Sequence, residues 1–80
     1  LPYVASGDYD TARTILEQAL TENDAAAVRY RLACVEALAG NKERALAELQ
    51  IAVDREARFR EYAAKDEDLA SIRDDPRFPA

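Results

Sequence analysis

The sequence predicts an all-α fold, with antiparallel helix pairs stacked as a short α-solenoid and closed by a C-terminal capping segment. Three observations carry this expectation. Gly7, Ala12, Leu16 and Ala19 recur 33 residues later as Gly40, Ala45, Leu49 and Ala52, and a period of this length marks repeats that each bury an apolar face on the next. Between the glycines, apolar residues follow the i, i+3, i+4, i+7 spacing of amphipathic helices. Only two Gly and three Pro interrupt 80 residues that are 49% hydrophobic and 34% charged, the composition of a globular helical chain. A chain of this length sits near the lower limit for a self-sufficient core, so marginal stability is expected.

Taken in order, 1–6 reads as the tail of a helix, with Gly7 as its left-handed stop and Asp8 as the next N-cap. Over 9–22, Ala12, Ile15, Leu16, Ala19 and Leu20 form one apolar stripe. Asn23 and Asp24 break and recap the chain. The next helix, 25–39, is apolar on more than one side and should be the innermost element. Gly40 and Asn41 repeat the stop and cap, after which Ala45, Leu46, Leu49, Ala52 and Val53 rebuild the stripe. Beyond Asp54 the period ends. A short helix is expected over 59–64, and Asp66 caps another running to about Arg73. Asp75-Pro76 closes it, because the residue before proline is driven out of the helical region. Lys65, Asp66, Glu67, Asp68, Arg73, Asp74 and Asp75 would give this end the polar surface that stops further stacking. The chain thus divides into a partial first repeat (1–23), a second repeat (24–55) and a cap (56–80). It begins at Leu1 inside an expected helix, which predicts a piece of a longer protein.

Several functions are disfavoured by composition. A net charge of -5 opposes binding to nucleic acid, which needs clustered Lys and Arg, and gains nothing from an anionic membrane. No apolar run approaches the roughly 18 residues of a membrane span, and no basic-then-apolar leader is present. Cys34 is the single cysteine and there is no histidine, so an internal disulfide, a zinc site and a Ser-His-Asp triad are all unavailable, and a cytoplasmic, reducing location is expected. With no His or helix N-terminus beside it to lower its pKa, Cys34 reads as a small buried residue. An EF-hand starting at Asp66 fails, with Ser71 where Gly is required and Arg77 where the bidentate Glu belongs. The arginines read as solvated, with i, i+4 pairs such as Glu56 and Arg60. No catalytic residue, metal site or cofactor site is predicted.

The stretch Gly7-Asp8-Tyr9-Asp10-Thr11-Ala12, followed by Leu-Glu-Gln-Ala-Leu at 16–20, resembles the second helix of a tetratricopeptide repeat. Residues 30–40 look like the first helix of the next repeat, and 40–53 complete it. The small residues Ala33, Ala45 and Ala52 stand where that family needs close helix approach. Residues 68–78 resemble the closing segment found after the last repeat of bacterial members. The period is one residue shorter than the family's usual one of about 34, and Arg29 replaces the large aromatic common early in the first helix. Ankyrin repeats share the 33-residue period, but their Thr-Pro-Leu-His turn is absent.

The resemblance implies a non-catalytic protein–protein interaction module whose first helices line a concave face. On this chain that face is Ala27, Tyr30, Arg31, Cys34 and Leu38, extended by Val4 and Ala5. Tyr30 and Cys34 occupy places where the family's clamp for a peptide carboxylate would hold polar groups, which leaves Arg31 as the anion contact. Groove binding through apolar and aromatic contacts fits these residues better. The expected partner is a protein or peptide. The alternative is a structural cap or homodimerisation domain of a larger protein, since an array this short leaves helical faces open.

Overall fold

The structure, a computed structural model, describes residues 8–79. The expected helix tail at 1–6, the stop at Gly7, and Val4 and Ala5 lie outside the described residues. Four α-helices follow one another, α1 (Tyr9–Glu22), α2 (Ala26–Ala39), α3 (Lys42–Arg55) and α4 (Arg58–Lys65), and a 3-10 helix spans Glu67–Ile72. There is no strand among the described residues. The boundaries of α1 to α4 agree with the sequence expectation to within one or two residues.

The helix ends follow local chemistry, with two departures. Asp8 caps α1, accepting from the Thr11 backbone N–H at 3.1 Å. Gly40 ends α2 at φ +88°, the left-handed conformation that glycine adopts without cost. The Asn41 N–H then returns to the Glu36 carbonyl at 2.8 Å, closing a Schellman-type stop. The first departure is Asn41. It precedes α3 as expected, yet its side chain makes no cap hydrogen bond and donates instead to the Glu36 carboxylate. The second is Asp24, which was expected to cap α2. The N-cap is Ala25 with no side-chain bond, and the Asp24 carboxylate is drawn away by Arg29 and Arg55. The segment expected to be helical up to Arg73 is wound as 3-10, with Asp66 accepting from the Asp68 N–H at 3.0 Å.

α2 is the innermost helix, as its patterning requires. One side, formed by Ala26, Tyr30, Ala33, Cys34 and Ala37, packs with Leu46, Leu49 and Val53 of α3, Phe59 of α4, and Leu69 and Ile72 of the 3-10 helix. The other side, Leu32 and Val35, packs with Ala12 and Leu16 of α1. Ala33, Ala45 and Ala52 have no solvent exposure. Their methyl groups let backbones approach where larger side chains would not fit. Beyond the 3-10 helix the tail folds back on the start of α3. Asp75 pairs with Lys42, Arg77 pairs with Glu43, and the Phe78 ring rests on the core.

Candidate functional site: the exposed stripe of α2

At about 100° per residue, the residues of α2 sort into four directions. Two are the packed sides described above. A third carries Arg29 and Glu36. Glu36 is 0% exposed, yet it is fully partnered. Arg13 grips it with two hydrogen bonds of 2.8 and 2.7 Å, Asn41 donates at 2.8 Å and Arg44 approaches to 3.1 Å. The paired guanidinium of Arg13 holds the Glu36 carboxyl below its ordinary range, against the opposing effect of burial. Arg44 also pairs with Glu17 and Glu48. Arg29 continues the chain of charges from Glu48 to Asp24. This network joins α1, α2 and α3 on one flank and leaves none of its cations free. The solvated Glu56–Arg60 pair is not formed, since Glu56 pairs with Arg58 instead.

The fourth direction is open. It carries Ala27 and Arg31, both exposed, and Leu38, which is half-buried. Leu38 borders a shallow depression of about 380 Å³ shared with Ala37, Gly40, Lys42, Ser71 and Ile72. Tyr30 and Cys34 are placed differently from these three, because the C-terminal segment covers them. The Tyr30 ring stacks on Phe59 with centroids 5.0 Å apart. Its hydroxyl donates to Asp66 Oδ2 at 2.8 Å, and the Cys34 thiol donates to the same oxygen at 3.7 Å. Ala27, Arg31 and Leu38 therefore form the accessible line, and Tyr30 and Cys34 fix the helix beneath it.

The electrostatics of this buried joint are one-sided. Burial, reinforced by the Asp66 hydrogen bond, pushes the Tyr30 hydroxyl well above its ordinary pKa. The Cys34 thiol moves up for the same first reason, aided by the charges of Asp66 and Asp68. Desolvation and the neighbouring Asp66 also raise Asp68. Cys34, Asp66 and Asp68 bring three ligand-type atoms within 4.8 Å of one another. Their hydrogen bonds, however, hold a protonated thiol and phenol against one carboxylate, so the arrangement is a latch between α2 and the 3-10 helix. Cys34 is thus a buried packing residue, as its sequence context suggests.

A family model, Tetratricopeptide repeat, matches residues 3–67. The chain belongs to the tetratricopeptide repeat family. Neither a curated protein nor a solved structure matches it. The match spans α1 to α4. The match ends inside the 3-10 helix, so the tail that folds back on α3 lies beyond the repeat pattern. No helix among the described residues is long and apolar enough to cross a membrane.

Two features were missed in the sequence. Glu36 interrupts the apolar run 32–37, and an acid in such a run is a sign of a buried partner. Tyr62 of α4 is 51% exposed and is spaced from Arg58 and Lys65 at i, i+4 and i+7. That spacing marks a second open stripe, which the search for a core face passes over.

Proposed function

We propose that this tetratricopeptide chain is a non-catalytic protein-binding module that holds a partner segment along the open stripe of α2, with Ala27, Arg31 and Leu38 in contact and Tyr30 and Cys34 as support. The observation that carries the reading is the contrast within one helix. Three directions of α2 are closed by packing or by ion pairs, and the fourth presents a methyl group, a guanidinium that has no side-chain partner among the described residues, and a half-buried leucine. Surfaces that combine apolar contact with a few charges suit recognition of a peptide or helix. The lone, buried Cys34 suits a reducing, cytoplasmic setting.

The test is a double variant, Ala27→Arg with Leu38→Asp, in the full-length protein. Ala27 is exposed and Leu38 half-buried, so the helical circular dichroism spectrum should be kept with a modest fall in Tm, while partners that co-purify with the wild type should be lost. Gln50→Arg on the exposed side of α3 should retain them. Retention by the double variant, or equal loss in both, overturns the reading. A second reading, a cap or homodimer, is favoured by one observation: Ile15 on α1 is 47% exposed. A mass by light scattering that doubles with concentration, and returns to the monomer in Ile15→Glu, would support it.

A further inference from the structure

The C-terminal segment is joined to the helices before it by a single corner. α4 ends at Lys65 and the 3-10 helix begins at Glu67, so Asp66 alone makes the turn, with extended backbone at φ -78° and ψ 117°. The six residues after it are wound as 3-10, longer than such runs usually persist, and 3-10 winding marks hinges and strained segments. Their composition favours a different winding. From Arg58 to Arg73 there is no Gly and no Pro, and ten of the sixteen residues are Arg, Ala, Glu, Lys or Leu, the types that favour one continuous α-helix. Glu61 and Lys65 also stand at i, i+4 in the favourable order. The bend is therefore held from outside, by what the segment touches. Leu69 and Ile72, 0% and 1% exposed, pack in one cluster with Tyr30, Cys34 and Ala37 of α2 and Leu46 of α3. Asp66 accepts from Tyr30 and Cys34, Ser71 donates to the Ala37 carbonyl at 3.4 Å, and Asp75 and Arg77 pair with Lys42 and Glu43. The fit is incomplete at one point. Arg73 donates Nη2 to the Ala63 and Asp66 carbonyls, yet its Nε is buried without a hydrogen-bond partner among the described residues, which disfavours the bent form.

We propose that this segment is an exchangeable arm. Residues 58–73 straighten into one helix through Asp66, and the arm 66–79 of each of two copies docks on α2 and α3 of the other, giving a reciprocal dimer. A second copy is the occupant because it carries the one segment that already complements the vacated surface. The Tyr30 and Cys34 donors meet Asp66, Lys42 meets Asp75, and Glu43 meets Arg77, so each contact made within one copy is remade between two, and the closed and exchanged forms differ at the corner. The two forms exclude one another by geometry. A straight helix carries Ile72 about 10 Å along its axis beyond Lys65, which takes Leu69 and Ile72 off their own α2. A short connection under strain is the arrangement that favours exchange. The net charge of -5 on each copy opposes the encounter, and moderate salt screens that repulsion beyond about 10 Å. The exchanged interface uses neither Ala27 and Arg31 nor Ile15, so the inference is independent of the reading of the α2 stripe as a binding face.

The experiment is light scattering on the 80-residue chain at millimolar concentration, after warming into the melting transition and cooling so that the arm has opened. A species of twice the monomer mass is expected, and it should persist in Ile15→Glu. Glu67→Pro separates the two forms. The exposed Glu67 opens the 3-10 helix, where proline is tolerated, and the extended Asp66 before it has the backbone that precedes proline, but a straight helix through position 67 is broken. Glu67→Pro should therefore keep its helical circular dichroism spectrum and be monomeric, while Glu67→Ala should still dimerise. A second pair of variants reads the exchange itself and needs no change at the corner. Glu43→Arg and Arg77→Glu each set like charges across the contact between arm and α3, and a mixed exchanged dimer restores one opposite-charge pair and keeps one wild-type pair. The mixed dimer should exceed either homodimer by about 3- to 10-fold, the range of one or two exposed ion pairs. A monomer throughout in the wild type and Glu67→Ala, a dimer that survives Glu67→Pro or is lost in Ile15→Glu, or a mixture without this enrichment would overturn the proposal.

Discussion

Replacing Arg13 with Ala should destabilise the fold by about 2–4 kcal/mol, because it strips a fully buried carboxylate of its main partner. The magnitude follows from the joint. Glu36 is 0% exposed and receives two Arg13 hydrogen bonds of 2.8 and 2.7 Å. Charge-assisted bonds contribute about 1.5–3 kcal/mol each where desolvated. The Arg13 side chain keeps 20% of its exposure, and Asn41 and Arg44 remain as partners after the change, so the expected cost of about 2–4 kcal/mol lies around the lower end of the summed range of about 3–6 kcal/mol. With about 4–8 °C of Tm per kcal/mol for a domain of this size, the expected fall is on the order of 8–32 °C. Part of the loss should depend on pH. Glu36 has a depressed folded-state pKa, so its pairing stabilises the protein above the unfolded carboxylate pKa of about 4.3 and the benefit is lost as pH falls through the folded value. The gap between wild type and Arg13→Ala should thus be widest near pH 7 and narrow toward pH 3. The assay is urea unfolding followed by circular dichroism at both pH values, with Glu36→Gln and the double variant completing a cycle. A deficit under about 0.5 kcal/mol at pH 7, the size of a surface pair, or one independent of pH, would refute the reasoning.

Further predictions follow from the latch, the thiol and the turn. Tyr30→Phe keeps the stack on Phe59 but leaves Asp66 short of a donor, and should cost about 1–2 kcal/mol in urea unfolding with helix content unchanged. Cys34 should resist a thiol reagent in the native state across pH 7–9 and become reactive as urea unfolds the chain, since its thiol is buried and its pKa raised. Gly40→Ala meets nothing within 4 Å of the added methyl, so its cost should be only the strain of φ +88°, about 1 kcal/mol by thermal melt, and less for Gly40→Asn.

The parts legible in the sequence were those governed by periodicity and turns. The 33-residue recurrence of Gly and Ala positions marks the helix lengths, and the two-sided apolar pattern of α2 identifies the central element. What escaped is governed by long-range partners. Asn41 and Asp24 are capping residues by type, but buried Glu36 and the cations Arg29 and Arg55 compete for them, and charged partners hold these side chains more strongly than a helix end does. Tyr30 and Cys34 share a helical repeat with Ala27 and Arg31. Their burial depends on how the non-periodic tail folds back, which spacing within α2 does not encode. The sequence puts Ala27, Arg31 and Leu38 on one face with them, and which members of that face stay open emerges only once that tail is in place.

The most direct measurement is site-specific photo-crosslinking in cells that make the full-length protein, with the photoreactive residue at Ala27 and, for comparison, at Gln50. Discrete protein adducts from Ala27 and none from Gln50 are the outcome predicted for a module that binds along the open stripe of α2. Adducts from Gln50 with none from Ala27 would contradict it and place the interaction surface on α3.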